Sequence, residues 1–185
     1  TESYSGSYLN SEKPQWSGEL NKKVLLWAEQ GIGDEVMFSS MLPELKKLCS
    51  NLIVLCDYRL IPLFQRSFCS SIASVSKFSE VMQDEYEFHL PMGSLGKFFR
   101  RNSQSFEKSN NGYLRSNDIR TKYLRDKLKL RTENQLIGLS WFSKSPIPGT
   151  FSRNIGLDKL VECLNNSNTQ FVNLQYGDVR ADLQS

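Results

Sequence analysis

The chain has 185 residues, 39% of them hydrophobic and 23% charged, and 23 Lys and Arg against 20 Asp and Glu give a formal net charge of +3. That length supports one well-filled core, or one domain and part of another, and the composition is that of an ordinary soluble globular protein. No run approaches the roughly 20 apolar residues of a membrane-spanning helix, the polar opening TESYSGSYLN lacks a signal-peptide core, and Cys49, Cys56, Cys69 and Cys163 form no C-x-x-C pair. The expectation is a cytoplasmic protein with no membrane span, no metal site and reduced, largely buried thiols.

Residues 1–21, rich in Ser, Asn, Gly and Glu, read as a lead-in arm that Trp16 docks. The stretch 23–48, KVLLWAEQGIGDEVMFSSMLPELKKL, reads as strand, glycine-bracketed turn and helix. Val24 to Ala28 form a continuous apolar block, as in a strand buried on both faces of a parallel sheet. Gly31 and Gly33 permit backbone angles denied to other residues and a close approach to the main chain. Asp34 is placed either to cap the following helix or to face the crevice outside the strand end. The turn is therefore either an anion or sugar-nucleotide site at a helix N-terminus or an ordinary strand-to-helix connection. Val36, Met37, Met41, Leu45 and Leu48 give the helix a core face, and Pro43 predicts a kink, with Ser39 and Ser40 near the freed carbonyl. Glu29 and Glu35 are nearby carboxylates, Glu35 assigned to the helix dipole.

Residues 52–57, LIVLCD, follow as a second buried strand about one helix-length later, the βαβ rhythm of a parallel sheet. Residues 59–68 predict a short helix, 72–75 a third strand, 85–92 a fourth and 93–101 another helix. In the fourth strand, Tyr86, Phe88 and Leu90 share one face while Glu87 and His89 share the other. His89, the single histidine, is either a hydrogen-bonded structural residue or an acid–base group on an acceptor side. Residues 102–112 read as a linker or mobile loop, 118–130 as a charged helix, and 136–141, LIGLSW, as a second βα beginning. A long turn over 142–154, a helix over 157–164 and a strand over 170–174 complete the chain.

The charge is unevenly spread: residues 29–95 carry 9 acidic and 5 basic side chains, residues 97–131 carry 3 acidic and 11 basic. The basic residues do not line up at helical spacing and are not interleaved with stacking aromatics, so no specific nucleic-acid binding is expected. The fold class is α/β: a Rossmann-like parallel-sheet lobe over 22–115, then a crossover helix and an incomplete second Rossmann-like lobe over 116–185.

The run from Trp16 through Leu20 and Lys23 to LLWAEQGIGD, ending at Asp34, resembles the glycosyltransferase-like region that follows tetratricopeptide repeats in many bacterial proteins. His89-Leu-Pro-Met, Gly138-Leu-Ser-Trp141, Ser152-Arg153-Asn154-Ile155 and Asn173-Leu-Gln-Tyr-Gly-Asp178 extend the likeness over residues 14–178. That family is similar to heptosyltransferases and, more distantly, to O-GlcNAc transferase, which share the GT-B arrangement of two Rossmann-like lobes. The resemblance implies a nucleotide-sugar donor as substrate, no cofactor, no metal, and an unknown protein or glycan acceptor. It implies Asp34 as general base and donor-phosphate contacts from Lys144 and Arg153, to which the glycine turn adds Gly31 and Gly33 as phosphate-binding candidates. The chain carries no tetratricopeptide repeats and only the start of the second lobe, so it reads as a fragment or degenerate member. The alternatives are a non-catalytic interaction module and another Rossmann nucleotide or S-adenosylmethionine binder, for which Asp57 is the one candidate to hold a ribose.

Overall fold

The computed structural model describes residues 9–68, 71–74, 84–106, 112–128, 135–142, 154–164 and 169–183. The chain divides into two compact units, Thr1–Asp118 and Ile119–Ser185. In the first unit, β1 (Lys22–Trp27) is followed by α1 (Ile32–Phe38), a 3-10 turn at Ser39–Met41 and α2 (Leu42–Leu48). Next come β2 (Cys49–Cys56), α3 (Ile61–Ser67), β3 (Ser71–Ser74) and β4 (Phe88–Pro91), then a 3-10 turn at Met92–Leu95, α4 (Gly96–Phe99) and a 3-10 turn at Ser103–Phe106.

The four strands form one sheet in the order β3-β2-β1-β4, and every pairing in it is parallel. The molecule is thus a mixed α/β protein with a parallel sheet, and this strand order is compatible with a Rossmann-like lobe. Central position explains composition: β1 and β2 have neighbours on both edges and cover on both faces, so each is apolar without alternation. Val24, Leu26, Leu52, Val54 and Leu90 join Met41, Leu42, Leu45, Phe64 and Leu95 in the larger core on the helical face. Leu25, Trp27, Ile53 and Leu55 point the other way and meet Tyr86. The alternation expected for 85–92 therefore fails at Tyr86. The strand begins only at Phe88, and Tyr86, on the loop before it, packs on the face opposite to Phe88 and Leu90.

Pro43 acts differently from a kink inside one helix. The 3-10 turn ends α1, and a new helix starts with Pro43 in its first turn, where a missing N–H costs no bond. The Ser39 carbonyl takes the Leu42 N–H, while the Ser39 and Ser40 hydroxyls donate to the carbonyls of Val36 and Met37. The lead-in arm lies along β4: Gln15 bridges to His89, the Trp16 N–H donates to the His89 carbonyl, and the Trp16 ring packs 4.7 Å from Phe98.

The second unit contains α5 (Asp118–Lys127, which begins at the boundary), β5 (Gln135–Leu139), α6 (Leu157–Leu164) and β6 (Thr169–Asn173). β5 and β6 pair in parallel. A small core of Leu139, Trp141 and Val179, with Leu157, Leu160 and Phe171 against it, holds this βαβ element together. Among the described cysteines, Cys49 and Cys56 are buried and Cys163 is exposed. No helix among the described residues is long and apolar enough to cross a membrane.

Candidate functional site

In the first unit the strand order reverses between β1 and β4, because the chain builds outward through β2 and β3 and then returns to the opposite side of β1. In open α/β sheets ligands bind outside the carboxyl ends of the strands at such a reversal; here the Met92–Leu95 turn after β4 packs on α1 at that end of the sheet. The WAEQGIGD segment is the connection that leaves β1 at this point.

Gly31, not Asp34, is the N-cap of α1. Its carbonyl accepts the N–H groups of Asp34 at 2.9 Å and Glu35 at 3.1 Å, so the helix already begins at Ile32 and Asp34 is its third residue. Asp34 is half-buried, and among the described residues its carboxylate meets no hydrogen-bond donor. Neither Gly31 nor Gly33 has a left-handed backbone; Gly31 is extended, with φ −72° and ψ 162°. What the glycines supply is space. A Cβ on Gly33 would meet nothing within 4 Å, and one on Gly31 would be 3.9 Å from Asp34 Oδ2.

Two further carboxylates tie elements together at this end of the sheet. Glu29 Oε1 accepts the Gly93 N–H at 3.1 Å, tying the turn after β1 to the turn after β4. Glu35 is not a surface dipole partner: at 1% exposure it points inward, and its Oε2 accepts the Asp57 N–H at 2.8 Å beyond the end of β2. Burial pushes the Glu35 carboxyl up to about 7. Asp57, in turn, is engaged by Arg59, whose main-chain N–H and Nε both reach Oδ1 at 2.9 Å while its terminal nitrogen reaches Oδ2 at 2.9 Å. Those bonds hold the Asp57 carboxyl below its usual range and occupy the group that a ribose would need.

His89 lies in the core of the first unit. It is 8% exposed, its Nδ1 accepts the Trp27 indole N–H at 3.3 Å, and its main chain is bonded on both sides by Pro14 and Trp16. Burial lowers its pKa, so it serves as a neutral acceptor in the core and not on an acceptor side.

In the second unit, Gln175 staples the exits of β5 and β6. Its Oε1 accepts from Trp141 N at 2.9 Å, Phe142 N at 3.0 Å and Ser140 Oγ at 3.1 Å, and its Nε2 donates to the Phe142 carbonyl at 3.0 Å. Gly177, at φ 93°, then takes a left-handed turn that suits glycine. Beside this staple is a cavity of about 320 Å³ lined by Trp141, Phe142, Ile155, Leu157, Asp158 and Asp182. Asp182 accepts the Trp141 indole N–H at 3.2 Å. Lys144 and Arg153 lie outside the described residues, so the charges the resemblance assigns to a donor phosphate are not among those placed here. No group of three or more His, Cys, Asp or Glu among the described residues is arranged to hold a metal ion.

The glycine turn in the sequence points to this end of the sheet, but the parts played by Glu29, Glu35 and Gln175 are not visible in it. A signal for the last was present, since Gln175 sits in the LQYGD run, but its partners are more than thirty positions away.

Fold and site together define an α/β protein with a parallel sheet whose order reverses between β1 and β4, where Glu29 ties the turn after β1 to that after β4 and Glu35 ties α1 to the end of β2. Protein FlbA of Caulobacter vibrioides is 27% identical over 187 aligned positions, which cover 91% of this chain and 31% of that protein. The chain therefore spans about a third of the length of the curated relative it matches. No family model matches the chain, and no solved structure does.

Proposed function

We propose that this chain is a region of a GT-B-type glycosyltransferase that moves a sugar from a nucleotide-sugar donor to a hydroxyl of a protein or glycan acceptor in the cytoplasm. The observation that carries the reading is the position of Asp34. It stands in the first turn of the helix leaving the central strand, at the strand reversal, with a carboxylate that no donor among the described residues engages. Sugar transfer needs a base for the attacking hydroxyl, and a positioned carboxylate contributes typically 10²–10⁴-fold. Gly31 and Gly33 leave the approach to it open. Lys144 and Arg153 are assigned to the leaving diphosphate, whose developing charge fixed cations stabilise.

The competing Rossmann nucleotide reading is weakened by Asp57, whose oxygens are already taken by Arg59. Thermal unfolding with nucleotide sugars, with S-adenosylmethionine and without ligand separates the possibilities. A donor at a hundredfold excess over its dissociation constant stabilises by about 2.7 kcal/mol. Stabilisation by S-adenosylmethionine alone would overturn the transferase reading, and silence from every nucleotide sugar would favour the non-catalytic module.

A further inference from the structure

We propose that the carboxyl end of the first sheet contains a proton-operated catch: neutral Glu35 fastens α1 to the end of β2, and its ionisation loosens the first turns of that helix. The inference goes beyond the transfer reaction and holds whatever ligand the protein takes.

Glu35 is the fourth residue of a seven-residue helix, yet it is 1% exposed. Through Oε2 it holds the Asp57 N–H, a bond between α1 and the residue that follows β2. Its Oε1 is sealed from solvent with no partner among the described residues, and the same is true of Glu29 Oε2 on the turn leaving β1. A carboxylate oxygen cut off from both water and donors bears a desolvation cost that a neutral carboxyl group largely escapes.

The groups around Glu35 do not offset that cost. The turn after β1 brings Glu29; the end of β2 brings the Cys56 thiol and the Asp57 carboxylate. Its own helix carries Asp34, and Tyr113 packs on α1 with its hydroxyl bonded to the Val36 carbonyl. The Met92–Leu95 turn, which also packs on α1, has no ionisable side chain. Among the described residues Arg59 is the one cation acting on Glu35, and it is already gripped by Asp57. Acids thus outnumber cations in the surroundings of a carboxyl group that lacks a second donor.

Glu35 is raised from 4.5 to about 7, burial being the first cause and the Asp57 N–H bond acting against it. Between those two values the loosened helix ionises Glu35 while the fastened one keeps its proton, so rising pH draws α1 away; above about 7 the effect levels off.

The test is amide hydrogen exchange of residues 31–38 in the full chain at pH 5 and pH 7.5, corrected for intrinsic exchange rates. Wild-type protection is expected to fall by about ten- to a hundredfold over this interval, since each pKa unit is a tenfold difference. Glu35→Gln keeps an acceptor for the Asp57 N–H and cannot ionise, so its protection is expected to stay nearly constant. An equal fall in both proteins, or no fall in the wild type, overturns the catch. Should the variant fail to fold, carboxyl carbon NMR of the glutamate-labelled wild type decides: one glutamate titrating near neutrality supports the inference, and none doing so overturns it.

Discussion

The carboxylate of Glu29 and the main-chain N–H of Gly93 meet at 3.1 Å, joining the exits of two adjacent strands whose following segments, α1 and the Met92–Leu95 turn, pack together. This bond links the two turns, and a side chain at residue 93 would displace the carboxylate that makes it. A Cβ there would lie 2.6 Å from Glu29 Oε1 and 3.1 Å from Gln30 Nε2.

Gly93→Ala is therefore expected to push the Glu29 carboxylate off this N–H and to destabilise the first unit by about 0.5–1.5 kcal/mol, the usual net contribution of one hydrogen bond. Gly33→Ala is the matched control. It is helical and open around its Cβ position, and it should stabilise the protein by about 0.4–1 kcal/mol. Urea denaturation of the two variants measures both signs. Gly93→Ala as stable as wild type would remove the Glu29 tie from the account of this end of the sheet.

His89 gives a pH dependence with a definite direction. Burial lowers its folded-state pKa beneath the unfolded value of 6.5, so in acid the unfolded chain binds the extra proton first. Stability is fully present above about 6.5 and is lost as pH falls toward the folded value. His89→Gln retains an acceptor for the Trp27 indole without titrating there. The stability difference between wild type and variant, from denaturant midpoints at pH 7.5 and pH 5, should shift against the wild type at the lower pH. Using the difference removes the contribution of Glu35, which runs in the opposite direction. No change in it between the two pH values would mean that His89 titrates as an exposed histidine.

The strands were legible because burial on both faces leaves an unbroken mark: Val24 to Ala28 and Leu52 to Cys56 are apolar at each step, and each is buried. Helix starts were less so. The placement of Asp34 as cap failed because the Gly31 carbonyl starts the helix three residues earlier, a choice made by main-chain bonding that no side-chain preference records. Glu35 could not be read from its own segment at all. Its neighbours suggest a solvent-facing first turn, and only the end of β2, 22 positions on, supplies the N–H that draws it inward. Tyr86 misled for the related reason that strand alternation applies only once the strand has begun.

Gln175 shows the same dependence on distant partners in the second unit. Removing its amide in Gln175→Ala leaves the N–H groups of Trp141 and Phe142 and the Phe142 carbonyl to find water or remain unpaired. The expected loss is about 2–3 kcal/mol, since each buried orphan costs on the order of 1–3 kcal/mol and solvent relieves some of them. Faster amide exchange in β5 and β6, with β1 and β2 unchanged, is the signature to look for. Uniform acceleration in both units would place the effect elsewhere.

Asp34 is tested most sharply because it is not a cap. Substitution by Asn or Ala removes neither the N-cap nor any hydrogen bond its carboxylate makes among the described residues. What is lost is a favourable charge near the helix N-terminus, typically 0.3–1 kcal/mol at an exposed site, and alanine recovers part of that through its helix propensity. Both variants should therefore fold with nearly unchanged melting temperatures. Under the proposed transfer reaction they should also bind a nucleotide sugar normally while turnover drops by two orders of magnitude or more, the scale of a missing general base. Stability and activity are then read from the same two proteins, and a folding defect cannot pass for a chemical one. Full turnover by Asp34→Asn would end the catalytic assignment, while leaving the fold and its two carboxylate ties intact.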